Sequence, residues 1–229
     1  MKKRVNLGSK FHHLYNQGVD KRMVFSTQGD FERFKACLYL LNDEESPRVA
    51  NFFGGNRQEN IYTSGRGNQL VGIGAYSIMP THFHLVVTPL VENGIAKFMQ
   101  KLMTAYTMYF NERTFRSGSL FQGTYRSHRV ESDEHLKYLY SYIHFNSAAY
   151  FHDDWKEGSE ADFRILEKNI ATYPYSSARE FFSSQFIVTS PLHFPRYLIR
   201  AKDIESHLRY WMKFKNKFRE LSERGVGII

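Results

Sequence analysis

Apolar and polar positions along the chain recur with two periods, about two and about 3.6 residues, and the switches between them mark the elements. Residues 11–16 (Phe-His-His-Leu-Tyr-Asn) read as a strand that ends at Gln17-Gly18, before a polar, basic loop with Asp20, Lys21 and Arg22. A helix is predicted next. Thr27 with Asp30 three residues on forms a capping-box pattern, and Phe31, Phe34, Leu38 and Leu41 follow at spacings of three and four as one apolar stripe that includes Cys37. From about residue 43 to 69 the chain turns polar and glycine-rich, with Gly54-Gly55-Asn56 and Gly65-Arg66-Gly67-Asn68, which predicts a long excursion outside the core. No Gly-x-x-x-x-Gly-Lys phosphate loop occurs in it.

Residues 70–78 read as a buried strand, Met79-Pro80-Thr81 as a break, and residues 82–88 as a second strand paired with the first in a hairpin. Ile95, Phe98, Leu102, Ala105 or Tyr106, and Tyr109 sustain a helical period over residues 94–113. A loop with Arg116, Gly118 and Gln122 leads to a basic strand over 124–130, and Ser132 caps a helix running to about Asn146 with Asp133 and Glu134 in its first turn. Strand, helix, two strands, helix, strand, helix predicts the α+β class, an antiparallel sheet with helices packed on it. Beyond residue 150 the pattern weakens. Tyr173-Pro174-Tyr175-Ser176-Ser177 reads as a capped helix start and residues 203–224 as a charged helix.

The 229 residues, 42% of them hydrophobic, suffice for one substantial core with an appendage, read as a domain over 1–182 and a basic C-terminal extension over 183–229. Lys2, Lys3 and Arg4 precede no apolar segment, and no run of about 18 apolar residues occurs, so a soluble, cytoplasmic chain is expected rather than a secreted or membrane one. Cys37, the single cysteine, has no internal disulfide partner and is given no role. Thirty-one basic against 23 acidic residues leave a formal charge of +8, the footprint of a polyanion binder. Fifteen tyrosines and 20 phenylalanines interleave with these charges, and aromatic rings of that kind either fill the core or stack on unpaired bases.

His82 and His84 lie two apart on a strand, so both imidazoles share one face and can share one metal ion, while Phe83, Leu85 and Val87 point to the core. A bare His-x-His in a strand is more often a pair of half-buried histidines. The context is Met79-Pro-Thr-His-Phe-His84, followed about sixty residues later by Tyr142-Ile-His-Phe-Asn146 on the last helix of the sheet unit. At about 100° per residue Tyr142 and Asn146 lie on one helical face a turn apart. Leu136, Leu139, Tyr140 and Ile143 form that helix's apolar stripe and leave Tyr142 at its margin. Tyr138 and Tyr140 are rival nucleophiles, but neither has an amide residue four positions on.

Together with Asn16-Gln-Gly-Val-Asp-Lys-Arg22, Tyr106-Thr-Met-Tyr-Phe-Asn111, Gly118-Ser-Leu-Phe-Gln-Gly123 and Tyr-Ser-Ser177, these segments occur in the order found in the single-tyrosine HUH transposases. The chain resembles that IS200-like family from about residue 11 to 182, and within it the group associated with repetitive extragenic palindromes. The resemblance implies a ferredoxin-like antiparallel sheet, Tyr142 as the nucleophile, and His82, His84 and Asn146 as ligands of Mg²⁺ or Mn²⁺. It also implies single-stranded or hairpin DNA as substrate and a 5′-phosphotyrosine with a free 3′-hydroxyl as product; some relatives are homodimers and the palindrome-associated group monomers, so a monomer is favoured over a homodimer. Two positions depart from the family pattern: Ser147 stands where proline usually follows the asparagine, and Thr81 where asparagine usually precedes the first histidine. Lys21, Arg22, Arg113, Arg116, Arg126 and Arg129 are the expected contacts to the DNA backbone. Two other readings use the same residues: a domesticated nucleic-acid binder that no longer cuts, and a metallohydrolase in which Tyr142 is structural.

Overall fold

The computed structural model describes residues 11–45, 49–53, 61–63, 65–147 and 168–198. Its sheet has four strands, β1 (His12–Gln17), β2 (Val71–Met79), β3 (His82–Pro89) and β4 (Arg126–Arg129), in the order β2-β3-β1-β4. Every pairing is antiparallel. With α1 (Gln28–Leu40) between β1 and β2 and α2 (Gly94–Arg113) between β3 and β4, this is the ferredoxin-like βαββαβ order. A further helix, α3 (Asp133–Asn146), follows β4.

Local chemistry sets the bounds. The Thr27 hydroxyl accepts from the Asp30 amide and the Asp30 carboxylate accepts from the Thr27 amide, so the capping box closes and α1 starts where the pattern places it. Ser132 likewise accepts from the His135 amide and starts α3. α2 opens without a side-chain cap, on Asn93 in the left-handed region, and its apolar side buries Phe98, Met99, Leu102, Tyr106 and Phe110.

The sheet separates two cores. On one face Leu14, Phe83, Leu85 and Val87 meet Phe34 and Leu38 of α1 and Phe98, Leu102 and Tyr106 of α2. On the other face Phe11, Ala75 and Val86 meet Leu136, Leu139, Tyr140 and Ile143 of α3, and α3 is covered in turn by Ile170, Ala178, Phe181, Phe194 and Leu198. Each buried Leu, Ile or Phe contributes roughly 1.5–3 kcal/mol, so both faces are firmly held. α3 approaches β2 closely at Gly74, in the register shift between Ile73 and Ala75, where an added Cβ would collide with the Tyr140 hydroxyl and the Phe194 ring.

Three expectations change. The excursion over 43–69 is partly core: Val49 is buried, Ile61 and Tyr62 pack against the first core, and the Tyr39 hydroxyl donates to the Tyr62 carbonyl at 3.0 Å. The end of α1 presents Tyr39, Leu40 and Leu41, and this segment covers them. Ser177 precedes a short helix, α4 (Ala178–Ser183), but does not cap it; its hydroxyl accepts from the Tyr76 amide at 2.8 Å and so closes the outer edge of β2. Finally, residues 188–198 belong to the same cores through Val188, Phe194 and Leu198, so the first part of the proposed extension is built into the domain. The charged helix over 203–224 lies outside the described residues.

Candidate active site

Register decides which side chains share a face. Gln17 pairs with His82, Tyr15 with His84 and His13 with Val86, so His13, Tyr15, His82 and His84 all lie on the face covered by α3. The same count places Arg126 and His128 of β4 there, opposite Tyr15 and His13. Phe83, Leu85 and Val87 point into the other core, as alternation predicts.

The four residues singled out from the sequence come together. His82 and His84 have ring centroids 5.1 Å apart. The Asn146 side-chain nitrogen lies 3.3 Å from His82 Nε2. Tyr142 meets His84 edge to face at 5.3 Å and stacks on Tyr138 at 6.1 Å. They gather at the end of the sheet where β1 finishes and β3 begins. Two loops border that end: Gly18 and Val24 donate to the carbonyls of Thr81 and Pro80, and Gln122 donates to the Gln17 carbonyl.

Burial is deeper than the helical stripe suggests. Tyr142 is 2% exposed, at the centre of the second core rather than its margin, because α3 is enclosed between the sheet and the segment running from Ile170 to Leu198. That burial, with Tyr138 and Tyr15 beside it, pushes the Tyr142 phenol well above its ordinary range, so the resting side chain is neutral. Burial also lowers His82 to about 4 and, with His128 and His135 nearby, His13 to about 3. Neutral imidazoles are the form that ligates metal.

Among the described residues no group of three His, Cys, Asp or Glu side chains could hold a metal ion. Beside the two imidazoles stands the Asn146 amide, a neutral side chain that could serve as a third donor. The amide faces His82 Nε2, and a half-turn about its Cβ–Cγ bond puts the carbonyl oxygen there instead of the nitrogen. Two imidazole nitrogens and one neutral amide oxygen are donors of the kind that Mn²⁺ or Mg²⁺ accepts.

Three partners escaped the sequence. His13 Nε2 lies 3.0 Å from His84 Nδ1, Thr81 Oγ1 lies 2.9 Å from His82 Nδ1, and the Tyr15 hydroxyl lies 3.1 Å from His128 Nε2. Thr81, where the family pattern has asparagine, thus keeps a polar contact on the first histidine. Strand alternation alone puts His13 and Tyr15 on one face; only the pairing with β3 shows that it is the histidine face.

The basic residues divide. Arg113 is held inside the fold, with Nε 2.9 Å from Asp30 Oδ1 and Nη2 donating to Asp30 Oδ2 at 2.9 Å and to Ser26 at 3.1 Å. Arg116 donates to Asn111 and to the Ser119 carbonyl and so braces its own loop. Arg22 bonds the Val19 carbonyl and, at 3.4 Å, Asp20. Lys21, in the left-handed region, is exposed on the loop beside the site. Arg126 and Arg129 are exposed on the edge strand β4, with the Arg126 guanidinium 5.9 Å over the Tyr15 ring.

Comparison with known proteins follows the same region. Residues 56–146 match the family model described as "Transposase IS200 like". Among solved structures the chain is similar to a REP-associated tyrosine transposase bound to a REP hairpin, at 13% identity and a TM-score of 0.45, over 83% of this chain and 90% of that one. No curated protein matches the chain. No helix among the described residues is long and apolar enough to cross a membrane.

Proposed function

We propose, on the premise that residues 56–146 belong to the IS200-like transposase family, that this protein cuts and rejoins single-stranded DNA near hairpins by transesterification through Tyr142. The observation that carries the reading is the convergence of Tyr142, His84, His82 and Asn146 on one sheet face, each in ring or hydrogen-bond contact with the next. His82 and His84 would hold a Mg²⁺ or Mn²⁺ ion with Asn146. When bound, such an ion supplies Lewis-acid polarisation of the scissile phosphate.

The chain's own residues do the rest. The Tyr142 oxygen attacks phosphorus, forming the Tyr–O–P bond as the P–O3′ bond breaks; the phenol's proton ends on the departing 3′-oxygen. The product is a 5′-phosphotyrosine and a free 3′-hydroxyl. One phosphodiester replaces another, so the 3′-hydroxyl of a second strand can reverse the step without a nucleotide cofactor, in keeping with the missing phosphate loop. A tyrosine with a free pKa of about 10 is a weak nucleophile at neutral pH, and burial raises Tyr142 further, so activation must come from the site itself. The packing of α3 keeps bulk water from the phenol and protects the ester from hydrolysis. Lys21, Arg126 and Arg129 would contact the DNA backbone.

A second reading, a single-stranded nucleic-acid binder that does not cut, is favoured by the burial of Tyr142. One experiment separates the two. The protein is incubated with Mn²⁺ and end-labelled single-stranded oligonucleotides from the DNA flanking its own gene, then run on a denaturing gel. A covalent adduct with wild type that is absent in Tyr142→Phe supports cutting. No adduct with wild type, or an adduct that persists in Tyr142→Phe, refutes the assignment.

A further inference from the structure

His84 is fully buried, and a buried imidazole can serve a metal only if its ligating nitrogen carries no proton. A neutral imidazole has one N–H, so whichever neighbour fixes the proton on one nitrogen frees the other. For His84 that neighbour is His13. It sits on the adjacent strand, diagonal to His84 in the register, is 2% exposed, and brings Nε2 to 3.0 Å from His84 Nδ1 with the two rings 5.1 Å apart and 20° from parallel. Packing alone does not call for histidine there. The flanking positions of this face are filled by Phe11, Ala75 and Val86, and an apolar side chain would serve as well without desolvating two ring nitrogens.

We infer that His13 is a positioning residue for His84: its Nε2 accepts the Nδ1–H of His84 and so keeps the His84 Nε2 lone pair for the ion. This rests on the metal reading above. The other histidine is arranged in parallel, since Thr81 Oγ1 meets His82 at Nδ1 while Asn146 faces the same ring at Nε2. Both imidazoles thereby have a partner on the δ side, which leaves the ε nitrogen of each as the one to offer an ion, and Asn146 stands on that side of His82. Partners of this kind fix ring orientation and raise ligand basicity, and their loss costs about 10- to 100-fold in metal affinity.

The test is Mn²⁺ binding to the DNA-free protein by isothermal titration calorimetry, with metal-free melting curves for each variant. His13→Leu, which keeps the packing and removes the acceptor, is expected to weaken Mn²⁺ about 10- to 100-fold. His13→Gln, whose amide oxygen can accept, should recover most of that loss. Wild-type Mn²⁺ affinity in His13→Leu overturns the inference while leaving the metal reading intact. No Mn²⁺ binding by wild type, or equal binding by His82→Ala, overturns the metal reading and the inference with it. If His13→Leu does not fold, long-range ¹H–¹⁵N NMR of the metal-free wild type still decides. A proton on His84 Nδ1 supports the inference, and a proton on Nε2 refutes it.

Discussion

Arg113 shows how the structure redistributes a charge that the sequence alone would hand to DNA. The Asp30 side chain is fully buried and accepts from Arg113 at two points, and also from the Ser26 amide and hydroxyl, the Thr27 amide and the Tyr109 hydroxyl. Removing Arg113 leaves a buried carboxylate with four neutral donors and no counter-charge. Breaking a buried pair from one side costs about 3–5 kcal/mol. The Arg113 side chain is 31% exposed and Asp30 keeps those four donors, so the lower end, about 3 kcal/mol, applies to Arg113→Ala. At roughly 2–4 °C per kcal/mol for a chain of this size, the melting temperature should fall about 6–12 °C. In a double-mutant cycle, Asp30→Asn with Arg113→Ala should cost clearly less than the two single losses added, because the orphaned charge is gone. The salt dependence of single-stranded DNA binding should not change in Arg113→Ala. In Arg126→Ala/Arg129→Ala it should fall by about 1.4 in slope, at about 0.7 per phosphate contact, with little change in melting. An Arg113→Ala protein that melts with wild type but binds DNA with a shallower salt slope would refute this division.

Acid should weaken the fold in two stages. Burial holds the folded-state pKa of His82 at about 4 and of His13 at about 3, below the unfolded value of about 6.5. Their contribution is therefore complete above pH 6.5 and is lost as pH falls toward 4 and then 3, because the unfolded chain binds the extra protons. Asp30 follows lower: burial pushes its carboxyl up, but the donors from Ser26 and Thr27 outweigh burial and lower it, so its contribution fades only as pH drops below about 3.9. Urea midpoints should drop between pH 7 and pH 5, and a flat profile there would contradict the buried neutral histidines. Gly74→Ala should cost about 1–3 kcal/mol by forcing Tyr140 and Phe194 off β2, read as a lower melting temperature; an unchanged melt would mean that α3 can shift without penalty.

Elements whose start or stop rests on local chemistry were legible in the chain. The Thr27–Asp30 box, the Ser132 cap and the Pro80 break each satisfy or remove backbone hydrogen bonds within a few residues, so α1, α3 and the β2–β3 boundary follow from short segments. That His82 shares a face with His84, and Tyr142 with Asn146, was also legible from strand and helix periods, whereas the meeting of the two pairs was an implication of the family resemblance. What depends on pairing between distant segments was not. Nothing local says that His13 faces His84, since that follows from the β1–β3 register across about seventy residues. Nor does helical periodicity reveal that Tyr142 is buried, since the cover over the outer side of α3 comes from residues after 167. Arg113 belongs to the same class: its partner Asp30 lies 83 positions away.

The orientation of α3 bears on why this site would need a cation. Phosphate-binding folds commonly offer the substrate a helix N-terminus, where free amides and the dipole favour negative charge. Here the reverse end is presented. α3 begins at Asp133 with an acidic first turn, and Asn146, at its other end, stands beside His82, so the site lies toward the electronegative C-terminal end of the helix. His82 and His13 are held neutral and offset none of that polarity. By that polarity a phosphodiester brought to this helix end would be disfavoured and a divalent ion favoured. Asn146→Asp makes the point measurable. A carboxylate in place of the amide should tighten Mn²⁺ binding and, without metal, weaken binding of single-stranded DNA relative to wild type, with added Mn²⁺ restoring it. If Asn146→Asp binds metal-free DNA as well as wild type, the phosphate does not approach this helix end, and Tyr142 is not placed to attack it.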